Sequence, residues 1–141
     1  MGETALEWYL LLSRGVEPVI AFTFDGVPIA KARPRIGARG HAFTPERTRA
    51  AEQHLAWRFR LAMRNREAFA GNLCMACVFF RPDRRRIDGD NMIKLVCDAG
   101  NLARAWGDDS QITTKLARVE LDAKRPRTEI AIGPMASSLT R

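Results

Sequence analysis

Asp88 and Asp90, two residues apart in "RRRIDGDNMIK", are the side chains of this 141-residue chain best spaced to act together. In extended backbone, residues i and i+2 project to the same side, so the two carboxylates converge. Without a cation between them, each would raise the other's pKa. A hard divalent ion removes that conflict, and Mg²⁺ in particular takes a few carboxylates, several waters and substrate phosphates as its ligands. Lys94 follows Asp90 by one helical turn and can reach the same cluster. Further along, "WGDDSQI" offers Asp108 and Asp109 as additional carboxylates. Each part also has an ordinary structural use: Asp90 as a helix cap, Asp108-Asp109 as a turn, Lys94 as half of an ion pair with Asp90 or Asp98. A calcium loop counted from Asp88 is excluded, because Ile93 and Ala99 stand where Gly and Glu are required.

The surroundings of this motif are basic. Arg84, Arg85 and Arg86 precede it directly, and Lys31, Arg33, Arg35 and Arg39 are spread through the Gly- and Pro-containing stretch "KARPRIGARGHAF". With a net charge of +7 and a hydrophobic share of 46%, the chain reads as a folded protein with an anionic partner. Nucleic acid suits better than membrane, since no apolar run approaches the roughly 20 residues that span a bilayer. Acidic Glu3 and Glu7 stand where a secretory signal would be positive, and the three cysteines make a poor disulfide framework. The expected location is the cytoplasm. Cys74 and Cys77 have C-x-x-C spacing within the apolar run "LCMACVFF", where a strand sends them to opposite faces, so all three cysteines are expected to be buried small hydrophobes.

The elements that must position these residues follow from pattern. A short N-terminal helix is followed by a strand over 19–24 and a turn at Asp25-Gly26. Thr44-Pro45 starts a long helix reaching about Phe69, with Thr44 as its cap and Ala50, His54, Trp57 and Leu61 as its apolar stripe, widened by Ala51, Leu55 and Ala62. Trp57, Phe59 and Phe69 are expected in the core, with an interface as the alternative place for them. The run 73–80 reads as a central strand covered on both faces. A second helix begins near Asn91, capped by Asp90 and closed by Gly100. "QITTKLARVEL" and "RTEIAI" read as two final strands, paired with each other through a turn at 124–126. This order gives one α+β domain over 1–141, with a small mixed or antiparallel sheet, an N-terminal extension over 1–18 and a loose tail over 133–141.

"PDRRRIDGDNMIK", followed at matching intervals by "CDAG" and "WGDDSQI", resembles the RusA family of Holliday junction resolvases. The likeness runs from about Val19 to Ile132 and includes the early strand, the basic segment and the long helix in family order. It implies a small homodimeric, Mg²⁺-dependent endonuclease, with Mn²⁺ as a substitute ion. The substrate implied is branched DNA, four-way junctions above all, cut in paired symmetric positions to leave 5′-phosphate ends during recombination and repair. Such a protein would associate with the nucleoid when bound to DNA. Carried over by position, the metal-binding aspartates are Asp88, Asp90 and Asp109, and the essential lysine is Lys94. Asp109 matches better than Asp108. Asn91 and Asp98 take supporting roles, Asn91 shaping the helix start and Asp98 orienting Lys94. Lys94 could stabilise developing charge, position water or deprotonate it. Gly89 departs from the larger aliphatic residue that family members often carry there. The basic residues already named would bind phosphates.

Two other readings fit parts of the same sequence. A flap- or fork-selective nuclease would use the same chemistry on another branched substrate. A DNA-binding protein that never cleaves would use its carboxylates for structure alone. A basic scaffold for protein contacts is a third, more distant reading.

Overall fold

The computed structural model describes residues 4–32, 35–43 and 45–136. Arg33 and Thr44 therefore lie outside the described residues, as does the side chain of Arg35. In chain order the elements are α1 (Ala5–Ser13), β1 (Ile20–Asp25), β2 (Arg35–Ile36), β3 (Ala42–Phe43), α2 (Glu46–Met63), β4 (Leu73–Arg81), α3 (Gly89–Ala103), β5 (Ile112–Leu121) and β6 (Arg127–Gly133), with one 3₁₀ turn at Asp109–Gln111.

β4 is the strand around which the rest is arranged. Its eight residues from Leu73 to Phe80 are all buried, the signature of a strand covered on both faces. On one face lie α2 and α3, enclosing Leu55, Phe59, Met75, Cys77, Phe79, Met92, Val96 and Trp106. On the other lies α1, whose Tyr9 is wholly buried against Cys74, Ala76, Val78 and Ala131. Cys74 and Cys77 thus do face opposite layers, and burial pushes the Cys74 thiol up to about 11. All three cysteines are free and buried.

The sheet order is β1-β6-β4-β5. β5 runs parallel to β4 after the α3 crossover, whereas β6 is antiparallel to both β4 and β1. The sheet is mixed and the class α+β, as expected, but β5 and β6 do not pair with each other. The turn between them instead carries the chain over the end of β4: Asp122 donates its N–H to the Arg81 carbonyl, and its carboxylate accepts from Lys124 N, Arg125 N and Arg127 Nη1. A five-residue connection looks like a hairpin in sequence, yet β6 has apolar residues enough for an interior position, with Ile130, Ala131 and Ile132 all buried.

α2 differs from its expected form in two ways. It ends at Met63, not near Phe69, and it turns a different face inward. Thr48, Leu55, Ala56, Phe59 and Met63 are buried, while Ala50, His54, Trp57 and Leu61 are exposed. Trp57 is therefore not a core residue. Phe59 is, with its ring edge-on to Phe22 and Trp106 at 5.1 and 5.7 Å between centroids. The chain after Gly133 also begins packed, since Met135 lies against the α1 layer and Ala136 N donates to Ser13 O. Residues 137–141 lie outside the described set.

Candidate active site

α3 starts two residues before its expected start because Asp88, not Asp90, is the cap. Asp88 has extended φ/ψ of −91° and 112°, and its Oδ1 accepts the N–H of Asp90 at 2.9 Å. Its Oδ2 accepts from Asn91 Nδ2 at 3.3 Å, so Asn91 does shape the helix start. Gly89 sits over β5, where a Cβ would meet Ala117 and Val119 at ordinary contact distances of 3.8 and 3.7 Å. A larger residue would fit there, and its absence leaves the two aspartates on a short, regular first turn. Asp90 and Lys94 are both exposed and lie one turn apart on the solvent face of α3. Among the described residues neither makes an ion pair.

Asp98 continues that face but does not orient Lys94. Its carboxylate bonds the ammonium of Lys31, which also lies 3.8 Å from Glu52 Oε1. The Asp98 hydrogen bond holds the Lys31 pKa above its usual value. Lys31 is consequently a clamp more than a free phosphate ligand: its backbone N–H donates to Asn91 O at 3.0 Å, tying the segment after β1 to the first turn of α3. Burial, with the nearby Asp98 charge adding to it, raises the Glu52 carboxyl pKa against the lowering pull of Lys31. A raised folded-state pKa favours the protonated form, so that stability is present below pH 4.5 and is lost as the pH rises through the raised value. Glu52→Gln holds the neutral form at every pH. Thermal melts are expected to place it at or above the unaltered protein at pH 7, with the difference vanishing below pH 4.5.

Asp109 stands elsewhere. It opens the 3₁₀ turn before β5 and accepts from Asn101 Nδ2 at 3.0 Å. Asn101 lies eleven residues beyond Asp90 on α3, about 16 Å along the helix axis. One chain thus brings Asp88, Asp90 and Lys94 together and leaves Asp109 at the other end of the same helix. Among the described residues no group of three metal-ligating side chains is assembled. Asp88 and Asp90 by themselves offer hard oxygen donors open to solvent, which fits an ion that keeps most of its waters. Asp108 is a capping residue: its Oδ2 accepts from Ser110 N at 3.0 Å, and these bonds hold its carboxyl below the usual range.

Two residues of this region escaped the sequence reading. Asn101 links the buried indole of Trp106, whose Nε1 donates to Asn101 Oδ1 at 2.5 Å, to Asp109. Gln111 gathers the loop, accepting from Gly107 N and Asp108 N while donating to the carbonyls of Phe69 and Gly71. The only available signal was the capping pattern of Asp108 followed three residues later by Gln111. Gly100, expected to close α3, lies inside it, and a Cβ there would stand 2.1 Å from the Trp106 ring.

The arginines flank the pair. Arg84, Arg85 and Arg86 occupy the exposed connection between β4 and Asp88. A groove of about 450 Å³ lies between that connection and the end of β5, and another of about 390 Å³ lies on its other side against Arg47 and Thr48. Arg81 and Arg85 border both grooves. Arg39 is exposed beside the small β2–β3 hairpin.

Paired carboxylates at a helix start, set between arginine-lined grooves, are suited to a protein that handles phosphodiesters. A family model described as endodeoxyribonuclease RusA matches residues 25–133, and the chain belongs to that family of Holliday junction-resolving endonucleases. No curated protein matches the chain. The matched segment begins at the last residue of β1, so α1 lies before it.

Proposed function

We propose that the protein resolves four-way DNA junctions by Mg²⁺-dependent hydrolysis of two symmetric phosphodiesters, leaving 5′-phosphate ends, in recombination and repair. Family membership supports the reaction class. The observation that carries the site is the solvent-open Asp88–Asp90 pair at the start of α3, one turn from Lys94 and directly after three arginines. Asp88 and Asp90 would hold the ion, which when bound supplies water activation and neutralises charge on the phosphate. Mn²⁺ has the same donor preference and is expected to substitute.

The chain's own residues divide the remaining work. Arg84, Arg85 and Arg86 draw the phosphate backbone toward the pair. Lys94, exposed and with no carboxylate partner among the described residues, is free to place its ammonium beside developing negative charge. Asp88 keeps its cap geometry while presenting charge, because Asn91 and the Asp90 amide fix its carboxylate. Asp109 joins the pair only if a second copy supplies it. A homodimer is also the assembly that the two-fold symmetry of a four-way junction calls for.

The test is an end-labelled synthetic four-way junction and a matched linear duplex, each with Mg²⁺ or excess chelator. Paired nicks confined to the junction and dependent on Mg²⁺ are expected. Equal cutting of a flap or fork would move the assignment to a broader branched-DNA nuclease. Tight junction binding without cuts would leave a binding protein in place of the enzyme.

A further inference from the structure

The outward face of α2 carries apolar and basic residues that the carboxylate pair does not use. Trp57 and Leu61 are 58% and 53% exposed there, in line with exposed Ala50 and His54. Around them the helix is cationic. Arg47, Arg49, Arg60 and Arg64 are exposed, and the acidic residues of α2 are only Glu46, which pairs with Arg49 at 3.8 Å, and Glu52, turned toward Lys31. At the C-terminal end of the helix a groove of about 630 Å³ opens against β1, bordered by Arg58, Leu61, Arg64 and Arg66. Arg58 is held in its wall by a bond to Thr23 O at 2.9 Å and by the Phe22 ring.

Charge decides what can cover this face. A second copy laid α2 against α2 would bring arginines against arginines, and like charges facing each other oppose association. An anionic polymer with flat apolar faces meets both features at once, since bases stack on exposed aromatic rings while phosphates pair with guanidinium groups. The N-terminal end of α2 supplies Arg47 to the groove beside Arg85 and Ile87, so the face begins next to the loop leading to Asp88. From there it extends about 27 Å, the length of an 18-residue helix.

We propose that the outer face of α2 is a second DNA-binding surface, which takes an unpaired strand from the branch point, with a base stacked on Trp57 and adjacent phosphates in the groove of Arg58, Arg64 and Arg66. It rests on the reading of the protein as a DNA endonuclease. A duplex hides its base faces, so Trp57 contributes to single-strand binding and little to duplex binding.

The test uses full-length protein in excess chelator, fluorescently labelled oligo-dT, and a labelled duplex of equal length, read by fluorescence anisotropy. Trp57→Ala is expected to weaken oligo-dT binding roughly tenfold, the loss of one stacked base, and to change duplex binding much less. Trp57→Phe, which keeps an aromatic face, is expected to retain most of the affinity. Unchanged oligo-dT binding by Trp57→Ala overturns the proposal. So does a shift of DNA-free Trp57→Ala to a smaller species in sedimentation, which would give the stripe to a second copy. If the unaltered protein binds neither oligonucleotide, the DNA reading itself fails; if it binds both and Trp57→Ala matches it, the α2 proposal fails and the DNA reading stands.

Discussion

Asp90→Asn is expected to lower the rate of junction cleavage by about a thousandfold or more while leaving junction binding in chelator within a few-fold of the unaltered protein. The side chain is exposed and bonds nothing among the described residues, so exchanging one oxygen for an amide changes charge and leaves packing alone. A thousandfold loss corresponds to about 4 kcal/mol of transition-state stabilisation, within the several kcal/mol that charge neutralisation at a phosphate supplies. Asp88→Asn sharpens the test. Asparagine caps a helix as well as aspartate does, so α3 keeps its start and only the charge is lost. The same collapse of cleavage with an unchanged melting temperature is expected. Asp88→Ala should add a stability loss of about 1 kcal/mol from the missing cap. Single-turnover cleavage of a labelled junction, paired with gel-shift binding, separates the outcomes. An Asp90→Asn enzyme that cuts at the unaltered rate removes Asp90 from the site.

Gly100→Ala is the second change expected to act strongly, and it acts through packing. The added methyl would stand 2.1, 2.3 and 2.9 Å from three ring carbons of Trp106, closer than real Cβ contacts come. Neither side can yield cheaply. Trp106 is 2% exposed, pinned edge-on against Phe59 and hydrogen-bonded to Asn101, while Gly100 lies inside α3. Overpacking of this kind costs about 3 kcal/mol, near the top of the usual range, which for a domain of this size lowers the melting temperature by roughly 10 °C. Because Trp106 orients Asn101 and Asn101 holds Asp109, the displacement also reaches the acidic turn. Calorimetry on Gly100→Ala reads the first effect. A melt within 2 °C of the unaltered protein would mean that the indole has somewhere else to go.

The clustering of the candidate site residues at the start of α3 was legible because their spacing is local. Asp88, Asp90, Asn91 and Lys94 fall within seven positions, and any helix starting there places them within its first two turns. What spacing cannot give is distance across a crossover. Asp109 reads as a neighbour of the pair in sequence pattern, yet α3 stands between them and holds them at its two ends. The strands were located well and partnered badly for a similar reason: β5 and β6 adjoin in sequence, but strand partners are chosen by burial, and β6 fits between β1 and β4. On α2 the expected stripe and the buried one have comparable apolar content. Phe59 and Met63 could equally have been drawn inward or outward by the periodicity, and the core chose them over Trp57 and Leu61. Lys31 looked like one more cation of an exposed loop until Asp98, far away in sequence, bonded it.

The position of β6 has a consequence for how the protein is made. Ile20 to Asp25 pair only with β6, and β4 needs β6 on its second edge. Translation delivers Arg127–Gly133 after every other described strand. A nascent chain that stops short of this segment holds β1 and β4 with facing edges open and no strand to join them. The βαβ unit of β4, α3 and β5 can form as it emerges, but the sheet closes only once the last strand slides into the gap. A stop before Arg127 would release a chain with two unsatisfied strand edges, a template for aggregation.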